Sequence, residues 1–363
     1  MVIMGTRPEA IKLAPVVLEL KKQSDIQPVI VATAQHREML DQVLAHFQIE
    51  PDIDLDLMIP NQTLFHLTGE IIRRFEAVFR KIRPDLILVQ GDTTTSFIGA
   101  LAGFYEKVRV GHVEAGLRTG NKYSPFPEEI NRKLVSVLAD YHFAPTQGNQ
   151  KNLIAEGVAP ENIIVTGNTV IDALHLTVDD HFTSDILSSQ NYDRFILITA
   201  HRRENFGKPL ENICEAVRQM AMLHSNWIFI YPVHLNKNVQ EPVRRILSDV
   251  NNVKLLDPMD YYTFANYMAG ADLILTDSGG IQEEAPSLAK PVLVLRDETE
   301  RPEAVEAGTV KVIGTNLKTI ISETEVLLKS KEVYEQMARA HNPYGDGKAS
   351  ERIVAFIRNA IMS

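Results

Sequence analysis

Three features of this 363-residue sequence predict two α/β domains, each built on a parallel sheet. Short β-branched runs alternate with amphipathic helical patterns from end to end. Glycine-centred turns follow apolar runs in both halves, where open α/β sheets gather their ligands. Between about 166 and 194 the apolar pattern weakens around Asp179-Asp180-His181, which marks a connection between two Rossmann-like halves.

In chain order, Met4-Gly5-Thr6-Arg7-Pro8-Glu9 leaves an apolar run and opens a helical pattern. Pro8 suits a helix start, where a missing N–H costs nothing, and Arg7 and Lys12 add charge beside the positive dipole end. Residues 86–90, 109–113, 195–199, 228–231, 253–256, 273–276 and 291–295 read as buried strands. The segment Asp277-Ser278-Gly279-Gly280-Ile281-Gln282-Glu283-Glu284 opens a second helix with its backbone uncovered, a turn suited to the phosphates of a nucleotide. Glu283 and Glu284 oppose a bare phosphate there unless one of them turns to sugar hydroxyls. Ordinary capping is the alternative for either turn taken singly. A further helix is expected over 349–361, after the breaker Asn342-Pro343-Tyr344-Gly345-Asp346-Gly347, packing back on the first domain. The expected division is 1–168, 169–345 and a tail of 346–363.

Composition narrows the function. With 45% hydrophobic and 23% charged residues the chain has material for two cores. No apolar stretch nears the roughly 18–20 residues of a membrane span, and no basic-then-apolar export signal opens the chain, so a cytoplasmic protein is expected. Cys214 is the one cysteine, which excludes an internal disulfide and a cysteine metal cluster. A net charge of −10 argues against nucleic acid or an anionic membrane as partner. An anionic small ligand must then be held by local cations.

Candidate chemistry lies at strand ends. Asp92 follows 86–90 and Glu114 follows 109–113; on neighbouring strands they share one edge, as paired acid and base groups must. The alternative makes Asp92 a cap for the helix at Thr93 and Glu114 the partner of Arg118. The proline- and charge-rich loop 118–132 serves a site or simply introduces a helix at Glu128 and Glu129. His201-Arg202-Arg203 offers a histidine with two cations, and His234 ends the following strand. Zinc-type spacings, a G-x-S-x-G elbow, a Walker loop and G-x-G-x-x-G are absent, so no metal site is expected.

Gly5-Thr6-Arg7-Pro8-Glu9-Ala10, Gln90-Gly91-Asp92-Thr93-Thr94, Gly111-His112-Val113-Glu114-Ala115-Gly116-Leu117-Arg118, His201-Arg202-Arg203-Glu204 and the 277–284 segment occur in the order of one family. The chain resembles the non-hydrolysing UDP-N-acetylglucosamine 2-epimerases, from residue 1 to about 350. The resemblance implies a glycosyltransferase-B-like fold with the active site in the interdomain cleft, no added cofactor, and a homodimer. It implies substrates UDP-N-acetylglucosamine and UDP-N-acetylmannosamine, interconverted by elimination of UDP to 2-acetamidoglucal and re-addition, as a supply for cell-surface polysaccharide. It sets the diphosphate on Arg7, Ser278, Gly279 and Gly280, the ribose on Glu284 and the uracil near Phe264. Lys12, Asp92, Glu114, Glu128 and His201 then surround the sugar.

Bacterial relatives also bind a second UDP-N-acetylglucosamine, and Gln35, Glu128, Arg202 and His234 match that pocket. Glu38 and Asn61 stand where some relatives carry Gln and Arg, a change that weakens attraction for a diphosphate there. The rival readings are a hydrolysing 2-epimerase, a glycosyltransferase on the same fold, and a sugar-nucleotide sensor without catalysis; three acids around a phosphorylated ligand speak against the sensor.

Overall fold

The computed structural model describes residues 1–33, 37–59, 62–188 and 192–362. It divides into two units, Met1–Leu176 with Tyr344–Ser363, and Thr177–Pro343.

The first unit holds seven strands: β1 Val2–Met4, β2 Ile30–Ala32, β3 Ile53–Asp54, β4 Leu86–Gln90, β5 Arg109–Val113, β6 Tyr141–Ala144 and β7 Ile163–Val165. All pair in parallel, in the order β3-β2-β1-β4-β5-β6-β7. The second unit holds β8 Arg194–Thr199, β9 Trp227–Pro232, β10 Val253–Leu256, β11 Leu273–Thr276, β12 Val292–Val294 and β13 Val310–Val312, again parallel, as β10-β9-β8-β11-β12-β13. In each sheet the winding reverses beside the first strand, between β1 and β4 and between β8 and β11. Such a switch point leaves room at the strands' carboxyl ends for a ligand.

Four of the expected strands keep their bounds. Strand β8 begins one residue early at Arg194, β9 widens to Trp227–Pro232, and 291–295 shortens to Val292–Val294. Strands β1, β2, β3, β7 and β13 span only two or three residues, too few for a period to register.

Each core follows from these runs. In the first unit Ile3, Ile87, Val89 and Val110 pack with Ile71 and Phe75 of the helix Leu64–Phe79 and Ile98 of the helix Thr94–Tyr105. The latter helix carries small residues because it lies close on the sheet; a Cβ on Gly103 would stand 2.6 Å from Ile87 Cδ1 and 3.1 Å from Val110 Cγ2. That close seat fixes the turn between β4 and the helix. In the second unit Ile196, Ile198, Phe229 and Leu275 pack on Ile213, Cys214, Val217 and Met220 of the helix Lys208–Leu223. Burying such a side chain contributes about 1.5–3 kcal/mol.

The tail helix Ala349–Met362 is clasped at its start by Asp172, whose two oxygens accept from the N–H groups of Ser350 (2.7 Å) and Ala349 (3.1 Å). Its Phe356 ring meets Tyr141 and Phe143 edge-on at 5.2 and 5.8 Å. Among the described residues no helix is long and apolar enough to cross a membrane.

Candidate functional site

The first unit gathers its polar groups on three turns, after β1, β4 and β5. Gly5 has no room for a side chain, since a Cβ there would lie 2.2 Å from Thr33 Oγ1 and 2.5 Å from Thr95 Oγ1. Glu9, fully buried in the first turn of the helix Arg7–Lys21, joins two of these turns. Its Oε2 accepts from Gly5 N (3.0 Å), Thr6 N and Thr6 Oγ1 (both 2.8 Å), and its Oε1 from Thr93 Oγ1 (2.6 Å) and Ser96 Oγ (2.8 Å). Burial pushes the Glu9 carboxyl up, and the surrounding hydroxyls and N–H groups oppose that push. Arg7, half-buried at the helix start, pairs with no side chain among the described residues.

Strands β4 and β5 are neighbours, with Gln90 opposite Val113, so the turns bearing Asp92 and Glu114 lie side by side. Lys12 Nζ donates to both Glu114 oxygens, at 2.6 and 2.7 Å. Gln90 Nε2 donates to Oε2, and Asn168 Nδ2 to Oε1 at 3.0 Å. Glu114 sits at φ +64, a left-handed conformation that a non-glycine residue adopts at a cost of order 1–3 kcal/mol. Asp92 Oδ2 accepts from Arg132 Nε (2.8 Å) and Nη2 (2.7 Å), while its carbonyl accepts from Asn131 Nδ2 (2.9 Å).

The two alternatives for these acids are thereby corrected. Thr93 itself caps the helix, its Oγ1 accepting from Ser96 N at 3.0 Å, and Arg118 goes to Glu156 at 2.7 Å rather than to Glu114. Glu129 does more than begin a helix. Buried, it accepts from the N–H groups of Thr119 and Gly120 (3.1 Å each) and from Arg132 Nη1 (3.0 Å), tying the 118–132 loop to the helix Glu128–Leu138. Glu128 starts that helix half-buried, and no side chain pairs with it among the described residues.

The second unit gathers cations over a glycine turn. Ser278 precedes the helix Gly279–Glu284 with its hydroxyl making no cap. A Cβ on Gly279 would meet Arg202 Nη2 and Arg301 Nη2, each at 3.7 Å, so two guanidiniums stand over this backbone. Arg301 Nε donates to Glu283, and Tyr261 Oη donates to Glu284 Oε2 at 3.2 Å. Phe264 lies half-buried on the helix Tyr261–Gly270.

Asp277, fully buried at the end of β11, organises the turn after β8. Its Oδ2 accepts from the N–H groups of His201 and Arg202 (2.8 Å each) and from Asn205 Nδ2 (3.0 Å). Its Oδ1, which makes no hydrogen bond among the described residues, stands 3.7 Å from His201 Nδ1. His201 stacks on His234, ring centroids 5.4 Å apart. Burial pushes the His201 imidazole down, Asp277 pulls it up, and His234 and Arg202 push it down further.

The first unit carries Arg7, Lys12, Asp92, Glu114 and Glu128, with Lys12 in contact with Glu114; the second carries His201, Arg202, His234, Phe264, Ser278, Gly279, Gly280 and Glu284, with His201 stacked on His234 and Arg202 beside Gly279. Gln35 and Asn61 lie outside the described residues; Glu38 is exposed in the first turn of the helix Arg37–His46. Sequence reasoning missed Gln90, Arg132, Asn168, Asp277 and Arg301 as site-forming side chains. Arg132 carried a usable signal, falling one helical turn after Glu128. Among the described residues no group of three or more His, Cys, Asp or Glu is placed to hold a metal ion.

A family model described as UDP-N-acetylglucosamine 2-epimerase matches residues 18–358. The chain is similar to the UDP-N-acetylglucosamine 2-epimerase of Bacillus subtilis (strain 168), 53% identical over 354 residues that cover 98% of this chain and 93% of that one. The structure of the UDP-GlcNAc 2-epimerase from Neisseria meningitidis bound to UDP-GlcNAc superposes with a TM-score of 0.88 at 49% identity, covering 99% of both chains. A glycotransferase of kitacinnamycin, only 11% identical, shares the fold with a TM-score of 0.66 over 99% of this chain and 98% of its own. With the family model matched over residues 18–358 and 53% identity over nearly the full length of a relative, the chain belongs to the UDP-N-acetylglucosamine 2-epimerase family.

Proposed function

We propose that this chain interconverts UDP-N-acetylglucosamine and UDP-N-acetylmannosamine without hydrolysis. The observation that carries the reading is the Glu114 carboxylate, held by Lys12 beside the turn of Asp92, because a C2 epimerisation needs a carboxylate to take the proton from one face and a protonated acid to return one to the other. The C2 hydrogen is not alpha to a carbonyl. A carboxylate removes it as a proton while the C1–O bond breaks, its electron pair leaving with UDP and the C1=C2 bond of 2-acetamidoglucal forming. Re-addition of UDP, with protonation of C2 on the other face, completes the exchange.

In this reading Asp92, Glu114 and Glu128 with His201 and Lys12 carry the proton transfers and charge stabilisation. Arg7, Ser278, Gly279 and Gly280 hold the diphosphate, joined by Arg301; Glu284 takes the ribose and Phe264 the uracil. Cations aimed at the departing diphosphate stabilise charge that develops in the transition state. Exposed apolar side chains, including Phe65 (91% exposed) and Val137 (82%), fit a homodimer, and the lone buried Cys214 fits the cytoplasm. Gln35, Glu128, Arg202 and His234 are proposed for a second UDP-N-acetylglucosamine, with weak activation because Glu38 and Asn61 replace an amide and a cation. A lag from UDP-N-acetylmannosamine alone that trace UDP-N-acetylglucosamine abolishes would contradict weak activation.

One incubation in heavy water tests the main reading. UDP-N-acetylglucosamine should yield UDP-N-acetylmannosamine, with deuterium at C2 of both. Free N-acetylmannosamine and UDP as the main products by proton NMR would replace it with the hydrolysing reaction.

A further inference from the structure

Glu114 is held from three directions, and the three holders differ in kind. Lys12 supplies charge to both oxygens. Gln90 reaches across from the adjacent end of β4. Asn168 comes from the turn after β7, 54 residues along the chain, and donates to Oε1 at 3.0 Å.

Asn168 is itself fixed on two sides. It is 2% exposed. Its Oδ1 accepts from Val170 N at 3.1 Å, which sets the amide orientation and turns the Nδ2 donor, not the oxygen, toward Glu114. Its backbone N–H donates to the carbonyl of Tyr344 at 2.7 Å. Tyr344 is the residue at which the chain re-enters the first unit. Beside this bond the backbones of Gly167 and Gly345 run in contact: a Cβ on Gly345 would lie 3.3 Å from Gly167 Cα, and one on Gly167 3.2 Å from Gly345 Cα. Gly345 stands at φ +133, where a side chain is strained in any case. A three-residue turn, Thr166-Gly167-Asn168, backed by a returning segment is a close mount for one amide.

We propose that Asn168 is a positioning residue for the epimerisation, its Nδ2 holding Oε1 of Glu114 so that the carboxylate keeps one orientation toward the reacting carbon. The inference rests on the catalytic role proposed for Glu114. A donor to the charged form favours that form, and a displacement of about 1 Å at a reacting group can cost a hundredfold in rate. The other titratable groups facing Glu114 leave this role open to Asn168. Lys12 is already engaged with both oxygens, Asp92 is paired with Arg132, and His112, in the same strand β5, is buried and driven neutral by that burial.

The experiment measures kcat and KM for UDP-N-acetylglucosamine across pH, with calorimetric UDP affinity, for Asn168→Ala, Asn168→Asp and Glu114→Gln in the full chain. Asn168→Ala is expected to lower kcat tenfold or more while KM and UDP affinity stay within about twofold. Asn168→Asp keeps the shape and the acceptor for Val170 N, so it folds where alanine fails, but it sets a second carboxyl against Oε1. Like charges at that distance raise one titration. The acid limb of its kcat profile should therefore move to higher pH, which loss of packing alone does not produce. An Asn168→Asp profile coincident with the wild type, or a kcat within twofold of it for Asn168→Ala, overturns the proposal. Glu114→Gln distinguishes the two failures: full kcat in that variant overturns the role of Glu114 itself, whereas an inactive Glu114→Gln beside a normal Asn168→Asp overturns only the role of Asn168.

Discussion

The polar clusters of the two units rest on the same strand order, yet they are left in opposite chemical condition. In the first unit, among the described residues, three acids are already answered, though Glu128 is not: Glu114 by Lys12, Gln90 and Asn168, Asp92 by Arg132, Glu9 by five donors. In the second, two atoms of the cluster itself, Arg202 Nε and Asp277 Oδ1, are buried without a hydrogen bond among the described residues, and two guanidiniums stand over a glycine backbone. Leaving such groups unsatisfied costs about 1–3 kcal/mol each. In the proposed reading the first cluster supplies the proton transfers and the second the contacts to the diphosphate.

The sharpest break of that contrast is a charge removed without a change of shape. Glu114→Gln should lower kcat by roughly a hundred- to ten-thousandfold, the range of a lost general acid or base, with UDP affinity unchanged. Asp92→Asn should act in the same direction. Its loss is smaller if Arg132 chiefly positions it, since the amide keeps one acceptor for that guanidinium. Single-turnover rates with calorimetric UDP affinity decide the matter; a Glu114→Gln chain that loses UDP binding instead of rate would erase the distinction between the clusters.

Arg301→Ala tests the other side. Removing one of the two guanidiniums over Gly279 should weaken UDP by about 1.5–3 kcal/mol, the value of a hydrogen bond to a charged group, or roughly 10- to 150-fold in Kd. Arg7→Ala should cost less where water reaches the contact. The loss should shrink as salt rises, since partly exposed charges are screened. Calorimetric affinity for UDP unchanged in Arg301→Ala would remove the diphosphate from this turn.

The same contrast explains what the sequence could convey. Strands β4, β8, β9 and β11 are largely apolar runs, as parallel strands covered by helices are, and the acids Asp92 and Glu114 stand just past the ends of β4 and β5. Motif residues next to strand ends are thus legible. Their partners are not, because nothing local ties Asn168 to Glu114 across 54 residues, or Arg132 to Asp92 across 40. Arg301 meets Gly279 only because the segment after β12 returns over the turn after β11. Glu129 misled in a different way. An acid in a first helical turn is ordinary capping chemistry, and only its complete burial turns it into the tie of the 118–132 loop.

The smallest effect concerns acid stability, and it sits beside the cluster of the first unit. His112 is buried within β5, its Nε2 on the Gly91 carbonyl at 2.7 Å, directly before Asp92. Its Nδ1 has no hydrogen-bond partner among the described residues. Burial lowers the imidazole to about 3, against an ordinary value near 6.5. Between those values the unfolded chain binds a proton that the folded chain refuses, so stability falls as pH falls through that window, by up to about 1.4 kcal/mol per pH unit. His142, its neighbour across β6 and lowered by burial to about 4, acts in the same direction over 6.5 to 4. His112→Gln keeps a donor for Gly91 but cannot titrate. Urea midpoints at pH 6.5 and 5.5 should therefore separate less in His112→Gln than in the wild type, by about 1 kcal/mol, although the variant is weaker overall from lost packing. Equal separations in both chains would mean that His112 takes up its proton in the folded state, and that the mount of the Asp92 turn is wetter than its burial implies.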